Sequence, residues 1–214
     1  MMKRISSAGL LCLWFAVVLL CSAVVAAQEF SADFVDTGKN QHERPATKIY
    51  MGKDKMRLES SDASERHGGA MIVDFANQKT YILMPEQKMY MESNPQDLGM
   101  HRINELLRPV DPNNACPAFE AAETSEHITS CRKIGTDTVN GRTAIKYEGT
   151  TKEGGTGYVW IDPKLHFFLK WEGKDGSGEL RNIKEGPQSA SLFELPAGYQ
   201  KFDINAMRNQ RQKH

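Results

Sequence analysis

What this sequence has little of narrows it first. Its 27 basic and 27 acidic residues cancel, and no Lys/Arg stripe exists that would track a phosphate backbone, so nucleic acid is excluded as a partner. The six histidines, His42, His67, His101, His127, His166 and His214, are scattered. His127 lies near Cys116 and Cys131, but the spacing matches no zinc pattern. There is no Gly-x-Ser-x-Gly elbow, and Gly176-Ser177-Gly178 is a turn in the wrong frame. Gly154-Gly155-Thr156-Gly157 lacks the following Lys-Ser/Thr and the helix that a phosphate cradle opens, so it reads as a hairpin. Carboxylates are plentiful, yet no pair has a reason for a shifted pKa, and the row Glu120, Glu123, Glu126 reads as a solvated face. Nothing positive points to an enzyme, a cofactor or a metal. An internal repeat and a low-complexity linker are also missing.

The first residues read as an address. Lys3 and Arg4 precede an apolar stretch from Ala8 to Val25, which ends in the small residues Val25-Ala26-Ala27. That order predicts a secretory signal peptide over residues 1–27, cleaved near Ala27, and places the mature chain in the periplasm. Two other fates stay open. The stretch approaches the ~18 residues of a spanning helix, and Cys21 lies near where a lipid would be attached, although Leu20 before it is not small. Cleavage removes Lys3 and Arg4 and leaves 25 basic against 27 acidic residues, a net charge of −2. Only Cys116 and Cys131 of the four cysteines then remain, and in an oxidising compartment they read as one disulfide. Closing a ~15-residue loop is worth about 3 kcal/mol in the chain-entropy model.

From Phe30 onward the hydrophobic period is two, with turn residues every several positions. Ala46–Met51 and Lys55–Ser60 flank Gly52-Lys53-Asp54. Met71–Ala76 and Thr80–Met84 flank Asn77-Gln78-Lys79, and Lys88–Ser93 follows Pro85-Glu86. Asp137–Val139 and Arg142–Gly149 flank Asn140-Gly141, the strongest two-residue hairpin signal. Thr156–Ile161, His166–Gly173 and Gly178–Lys184 complete a meander of about ten antiparallel strands. Gly99–Arg108 carries Ile103, Leu106 and Leu107 on one face and stops at Pro109, which predicts a helix; Phe119–His127 predicts a shorter one. A single domain is expected over residues 28–204, with a polar, flexible tail over 205–214.

Several strands break the alternation that one wet face would impose. Met71-Ile72-Val73, Tyr81-Ile82-Leu83-Met84, Met89-Tyr90-Met91, Tyr158-Val159-Trp160-Ile161 and Phe167-Phe168-Leu169 are apolar at consecutive positions. Consecutive residues point to opposite faces, so both faces must be shielded, and one short helix cannot cover ten strands. The expected solution is a mainly β fold in which a curved antiparallel sheet forms an unclosed barrel around an apolar interior. Met51, Met56, Met71, Met84, Met89 and Met91 suit either an adaptable ligand surface or an irregular core. The residues expected to line a ligand cavity are Met51, Met56, Met71, Val73, Tyr81, Leu83, Met89, Met91, Trp160 and Phe168. A one-residue slip in strand register would invert that list.

The C-terminal half adds a resemblance. Trp160-Ile161-Asp162-Pro163, Leu165, Leu169-Lys170-Trp171-Glu172, Asn182-Ile183 and Leu192-Phe193-Glu194-Leu195-Pro196-Ala197-Gly198-Tyr199 resemble the closing strands of the periplasmic outer-membrane lipoprotein carriers (LolA-like). The run Leu83-Met84-Pro85-Glu86-Gln87-Lys88-Met89-Tyr90-Met91 is similar to uncharacterised exported proteins placed near them. Together these cover about half of the mature chain. The resemblance implies an unclosed β-barrel with helices capping its mouth and an apolar cavity for acyl chains. The carriers' Arg-Pro after the first aromatic strand is absent here, where Tyr50-Met51-Gly52-Lys53 stands, so no functional residue is carried over at that position.

The expectation is therefore a monomeric, non-catalytic binding protein for a lipid, an acylated protein or another apolar ligand, touching membranes only transiently. A sensor docking an envelope protein on the same scaffold is the alternative, by strand addition to an exposed edge. A hydrolase with an unrecognised site is the third reading.

Overall fold

The computed structural model describes residues 28–37, 42–60, 69–93, 107–122, 128–152 and 154–202. The signal segment with Cys21, most of the helix expected at 99–108, residues 123–127 of the second expected helix and the 205–214 tail lie outside them. The strands are β1 (Phe30–Thr37), β2 (Thr47–Met51), β3 (Lys55–Ser60), β4 (Ala70–Asp74), β5 (Lys79–Met84) and β6 (Met89–Ser93). The second half holds β7 (Ile128–Val139), β8 (Arg142–Thr151), β9 (Thr156–Asp162), β10 (Phe167–Gly173), β11 (Gly176–Glu185) and β12 (Gln200–Lys201). Helix α1 spans Cys116–Ala122, and a 3-10 turn covers Ala190–Phe193.

The twelve strands among the described residues form one sheet in the order β12-β6-β5-β4-β3-β2-β1-β11-β10-β9-β8-β7. Two meanders, β2 to β6 and β7 to β11, are joined by β1, which pairs antiparallel with both β2 and β11. Every pairing is antiparallel except the short β12–β6 contact. β7 and β12 are the two ends of the order, so the curved sheet does not close. The chain therefore crosses from β6 on one flank to β7 at the far edge, and α1 lies on that crossing.

Turn chemistry explains the register. Asn140 and Gly141 both take positive φ (49° and 77°), the requirement of the two-residue turn whose twist matches its strands. The β4–β5 turn is held by Asp74, whose Oδ1 accepts from Asn77 N at 2.9 Å while its Oδ2 takes Lys55 Nζ at 3.0 Å. Asp162 does the same after β9. Its Oδ1 accepts from Lys164 N and Leu165 N, and its Oδ2 from Arg142 Nε at 2.6 Å.

Register also assigns the faces. Phe30 pairs with Met51, Met51 with Met56 and Met56 with Val73, so these four share one face. Ala32, Ile49, Leu58, Met71, Ile82 and Met91 follow in the next row of that face, and Met84 pairs with Met89 in another. Across β1 the same face continues through Leu180, Gly178 and Trp171 to Val159, Tyr147 and Cys131. It is the inner face, because α1 rests on it through Phe119 against Tyr147 (ring centroids 6.0 Å). Phe30, Met56 and Phe167 are fully buried there, and each such side chain contributes about 1.5–3 kcal/mol by leaving water.

The outer face is shielded differently from expectation. Ile72, Leu83, Tyr81 and Tyr90 form an outer cluster closed by Tyr199. The Leu192 carbonyl accepts from Arg57 Nη1 at 3.1 Å, and the Phe193 ring lies against Gly52. Gln200 N and Phe202 N then donate to the Lys88 and Tyr90 carbonyls. The segment after β11 thus covers the outer side of the first meander.

Candidate functional site: an apolar cavity under the α1 crossing

A cavity of about 360 Å3 opens between the inner face of β7–β10 and the segment 108–119. Its floor comes from inward-facing residues of adjacent strands: Cys131 on β7, Tyr147 and Gly149 on β8, Gly157, Val159 and Ile161 on β9, and Phe167, Phe168 and Trp171 on β10. Val110, Phe119 and Ile128 complete the apolar wall. Phe167 and Phe168 both reach it although they are consecutive. The register shifts between Phe168 and Lys170, and such a bulge re-aims side chains that a regular strand would send to opposite faces.

The roof is tied down at several points. Val110 N donates to the His166 carbonyl at 2.8 Å. The Tyr147 hydroxyl donates to Pro112 O at 2.9 Å and accepts from Ala115 N at 3.3 Å. Lys133 Nζ reaches Asn113 Oδ1. The disulfide Cys116–Cys131 joins the start of α1 to β7, the pair expected from the sequence, and Cys131 is itself part of the cavity wall. Pro117 sits in the first turn of α1, where a missing N–H costs nothing.

Polar groups are few and engaged. Glu148 is held by Arg132 at 2.7 Å, Glu172 by Lys170 at 2.6 Å, and the Arg108 guanidinium lies 5.9 Å from the centroid of the Phe75 ring. Among the described residues no group of three or more His, Cys, Asp or Glu is placed to hold a metal ion. The arrangement can exclude water and surround an apolar body. Among the described residues of its wall no nucleophile is paired with a base.

Of the ten residues expected at the cavity, Phe168 lines it. Met51, Met56 and Val73 are inner-face residues, but they are fully buried in the protein's own core with Phe30 and Leu180. Met71, Met89 and Met91 also face inward and are half-buried on the first meander, away from the lining. Tyr81 and Leu83 point outward under Tyr199. Trp160 points outward too, donating from Nε1 to Asp137 Oδ2 at 2.8 Å with Lys146 and Lys170 over its ring at 4.5 and 5.0 Å. Three of the lining residues that sequence reasoning missed stand next to ones it chose: Val159 and Ile161 beside Trp160, and Phe167 beside Phe168. The signal that finds them is register, which a sequence of consecutive apolar residues does not carry.

A family model described as a domain of unknown function (DUF4412) matches residues 36–104, a stretch that contains the Tyr81–Met91 run. No curated protein sequence matches the chain. Among solved structures, an uncharacterised conserved protein from Thermus thermophilus superposes with a TM-score of 0.53 at 11% identity, over 83% of this chain and 91% of that one. The MucA/MucB complex of Pseudomonas aeruginosa gives 0.48 at 14% identity, over 81% and 57%. A putative outer membrane lipoprotein-sorting protein domain from Vibrio parahaemolyticus gives 0.33 at 12%, over 87% and 92%. An unclosed, curved antiparallel sheet with a helix over its inner face is the architecture that the resemblance of the closing strands implied, and the first of these neighbours shares the fold.

Proposed function

We propose that the chain is an exported, non-catalytic binding protein of the periplasm that holds a lipid, an acylated protein or another apolar ligand in the cavity beneath α1. The observation that carries this reading is the cavity itself. About 360 Å3 of space bounded by aromatic and aliphatic side chains falls within the ~300–1,000 Å3 range of small-molecule sites. A protein with no use for that space would gain stability by filling it. The leader at residues 1–27 is removed near Ala27, residues 28–204 act as one domain and as a monomer, 205–214 trails from it, and contact with a membrane is transient. A disulfide in the wall supports the oxidising compartment.

The test is to purify the mature protein, strip bound lipid, and titrate a fluorescent fatty acid and a synthetic lipopeptide. Saturable, one-to-one binding that Phe168→Asp weakens supports the reading. A folded protein, verified by circular dichroism, that binds neither probe ends it.

One observation favours the alternative, docking of an envelope protein. Among the described residues β7 has β8 as its one neighbour in the sheet, and Ile134 on it is 44% exposed. Its register shifts near Ser130 and Gly135, however, are the bulges by which edges resist strand addition. Recovery of a stable protein partner whose binding survives Phe168→Asp would favour docking over carriage.

A further inference from the structure

Gly149 and Gly157 face each other on β8 and β9, and both belong to the cavity wall. On the same inner face Gly149 follows the buried Tyr147 and precedes the half-buried Thr151, and all three line the cavity. A glycine inside a strand weakens that strand and needs a reason. For Gly157 the sheet gives part of one, because an added Cβ would stand 3.2 Å from the Glu172 carbonyl oxygen. For Gly149 it gives none. Its backbone is outside the left-handed region, and among the described residues an added Cβ would meet nothing nearer than Ser130 O at 3.9 Å, which is ordinary contact. The fold would accept a side chain at 149; the space that a side chain would occupy is cavity.

We infer that Gly149 is a specificity-determining position, kept bare so that the guest lies directly on the β8 backbone beside Gly157 of β9. This deepens the binding reading above and rests on it. The guest it admits is an apolar body that passes over two strands' bare backbone and then meets the aromatic walls of Tyr147, Phe119 and Trp171. A cavity whose room comes from missing side chains selects by cross-section. Linear aliphatic chains pass, and each methyl added at the floor removes room in the way that one methylene changes binding in an apolar pocket, by about 10–200-fold.

The experiment compares wild type, Gly149→Ala and Gly149→Val, all as mature oxidised protein, with cis-parinaric acid as a linear probe and a fluorescent sterol as a broad one. Urea unfolding is followed on the same samples. The expected result is opposed trends. Unfolding midpoints stay level or rise from Gly to Ala to Val, because a strand glycine is being replaced by better strand formers. Affinity for the linear probe falls by at least tenfold at Val, with an intermediate loss at Ala, and the sterol binds more weakly than the linear probe to every form. Loss of affinity together with loss of stability would assign Gly149 a structural role and overturn the inference. Wild-type affinity retained in the Val protein would overturn it as well, while leaving the binding reading standing. A wild-type protein that is folded and binds neither probe removes the binding reading and this inference together.

Discussion

Gly178 offers a sharp test of how the cavity wall is built. It pairs with Trp171 across β10–β11, and a Cβ added there would overlap the indole Nε1 of Trp171 and lie 2.8 Å from two ring atoms of Phe34. Carbon atoms in comfortable contact are ~3.5–4.0 Å apart, so Gly178→Ala forces both rings back by roughly 1 Å. Neither can retreat freely, because Phe34 packs edge-on against Phe168 (ring centroids 5.7 Å) and Trp171 and Phe168 are cavity wall. Overpacking of this kind costs about 1–3 kcal/mol, and replacing glycine in a strand returns about 0.5–1 kcal/mol. The net expectation is a loss of roughly 1–2 kcal/mol. With an m-value of about 1–3 kcal/mol/M in urea, that lowers the unfolding midpoint by roughly 0.5–1 M.

The unfolding should be followed by far-ultraviolet circular dichroism, since Trp171 emission reports the displaced ring itself and belongs in a separate measurement. Shortening Phe34 to Leu makes room, so Gly178→Ala should cost markedly less in the Phe34→Leu background than in wild type, a coupling that a double-mutant cycle reads directly. Equal costs in the two backgrounds, or an alanine variant as stable as wild type with unchanged tryptophan emission, would refute the packing described for this wall.

Three further outcomes are expected. Met56→Ala should cost about 2–5 kcal/mol because Met56 is fully buried, yet leave fatty-acid affinity unchanged; a fall in affinity at equal folded fraction would return the first-meander methionines to the binding site. Replacing Cys116 and Cys131 together by serine should remove about 3 kcal/mol of chain-entropy stabilisation and loosen probe binding, because the bridge fastens α1 over the cavity; differential scanning calorimetry and titration on one sample check both. Asp33 has its pKa held below the ordinary carboxylate value by hydrogen bonds from Lys48 and then Asn182. Its stabilising effect is therefore present above about pH 3.9, the unfolded value, and is lost as pH falls through the lower folded value. Wild type should exceed Asp33→Asn in urea midpoint at neutral pH and converge with it only in strong acid, and a gap that persisted there would contradict the assignment.

How much of this could be read from the sequence depends on what each residue's neighbours are. Hairpins were legible because their causes are local: Asn140-Gly141 and Asp162-Pro163 carry the turn in their own chemistry, and the strands beside them follow. Most of β7 was not, because Ile128–Thr136 sits at the sheet edge with mostly exposed side chains and so has no apolar rhythm to betray it. β12 was invisible for a different reason. Two residues make a strand only because the segment before them is already laid across the outer face by Phe193 and Tyr199. That segment also supplies the shielding that the sequence argument did not foresee. Consecutive apolar residues did mean two covered faces, but in the first meander one face is covered by the protein's own C-terminal strap and the inner residues Met51, Met56 and Val73 fill a core.

The need for shielding therefore predicted a sheltered interior and left its position open. Both meanders carry runs apolar on both sides, and what separates them is the size of the side chains along the inner face. In the first meander long, flexible Met51 and Met56 fill the inner side. In the second, the inner positions of β8 and β9 fall from Tyr147 and Val159 to Gly149 and Gly157 within one step of the pleat, beneath a roof that Tyr147 and the disulfide hold in place. A roof pinned above a floor that two glycines leave bare keeps space open there, whereas a face lined with methionine does not. It follows that volume added at the second meander's inner positions should act on binding, and volume removed from the first meander's should act on stability. Gly149→Val and Met56→Ala are the pair that separates these effects, and if both variants moved the same observable, the two halves of the barrel would not differ as their side chains indicate.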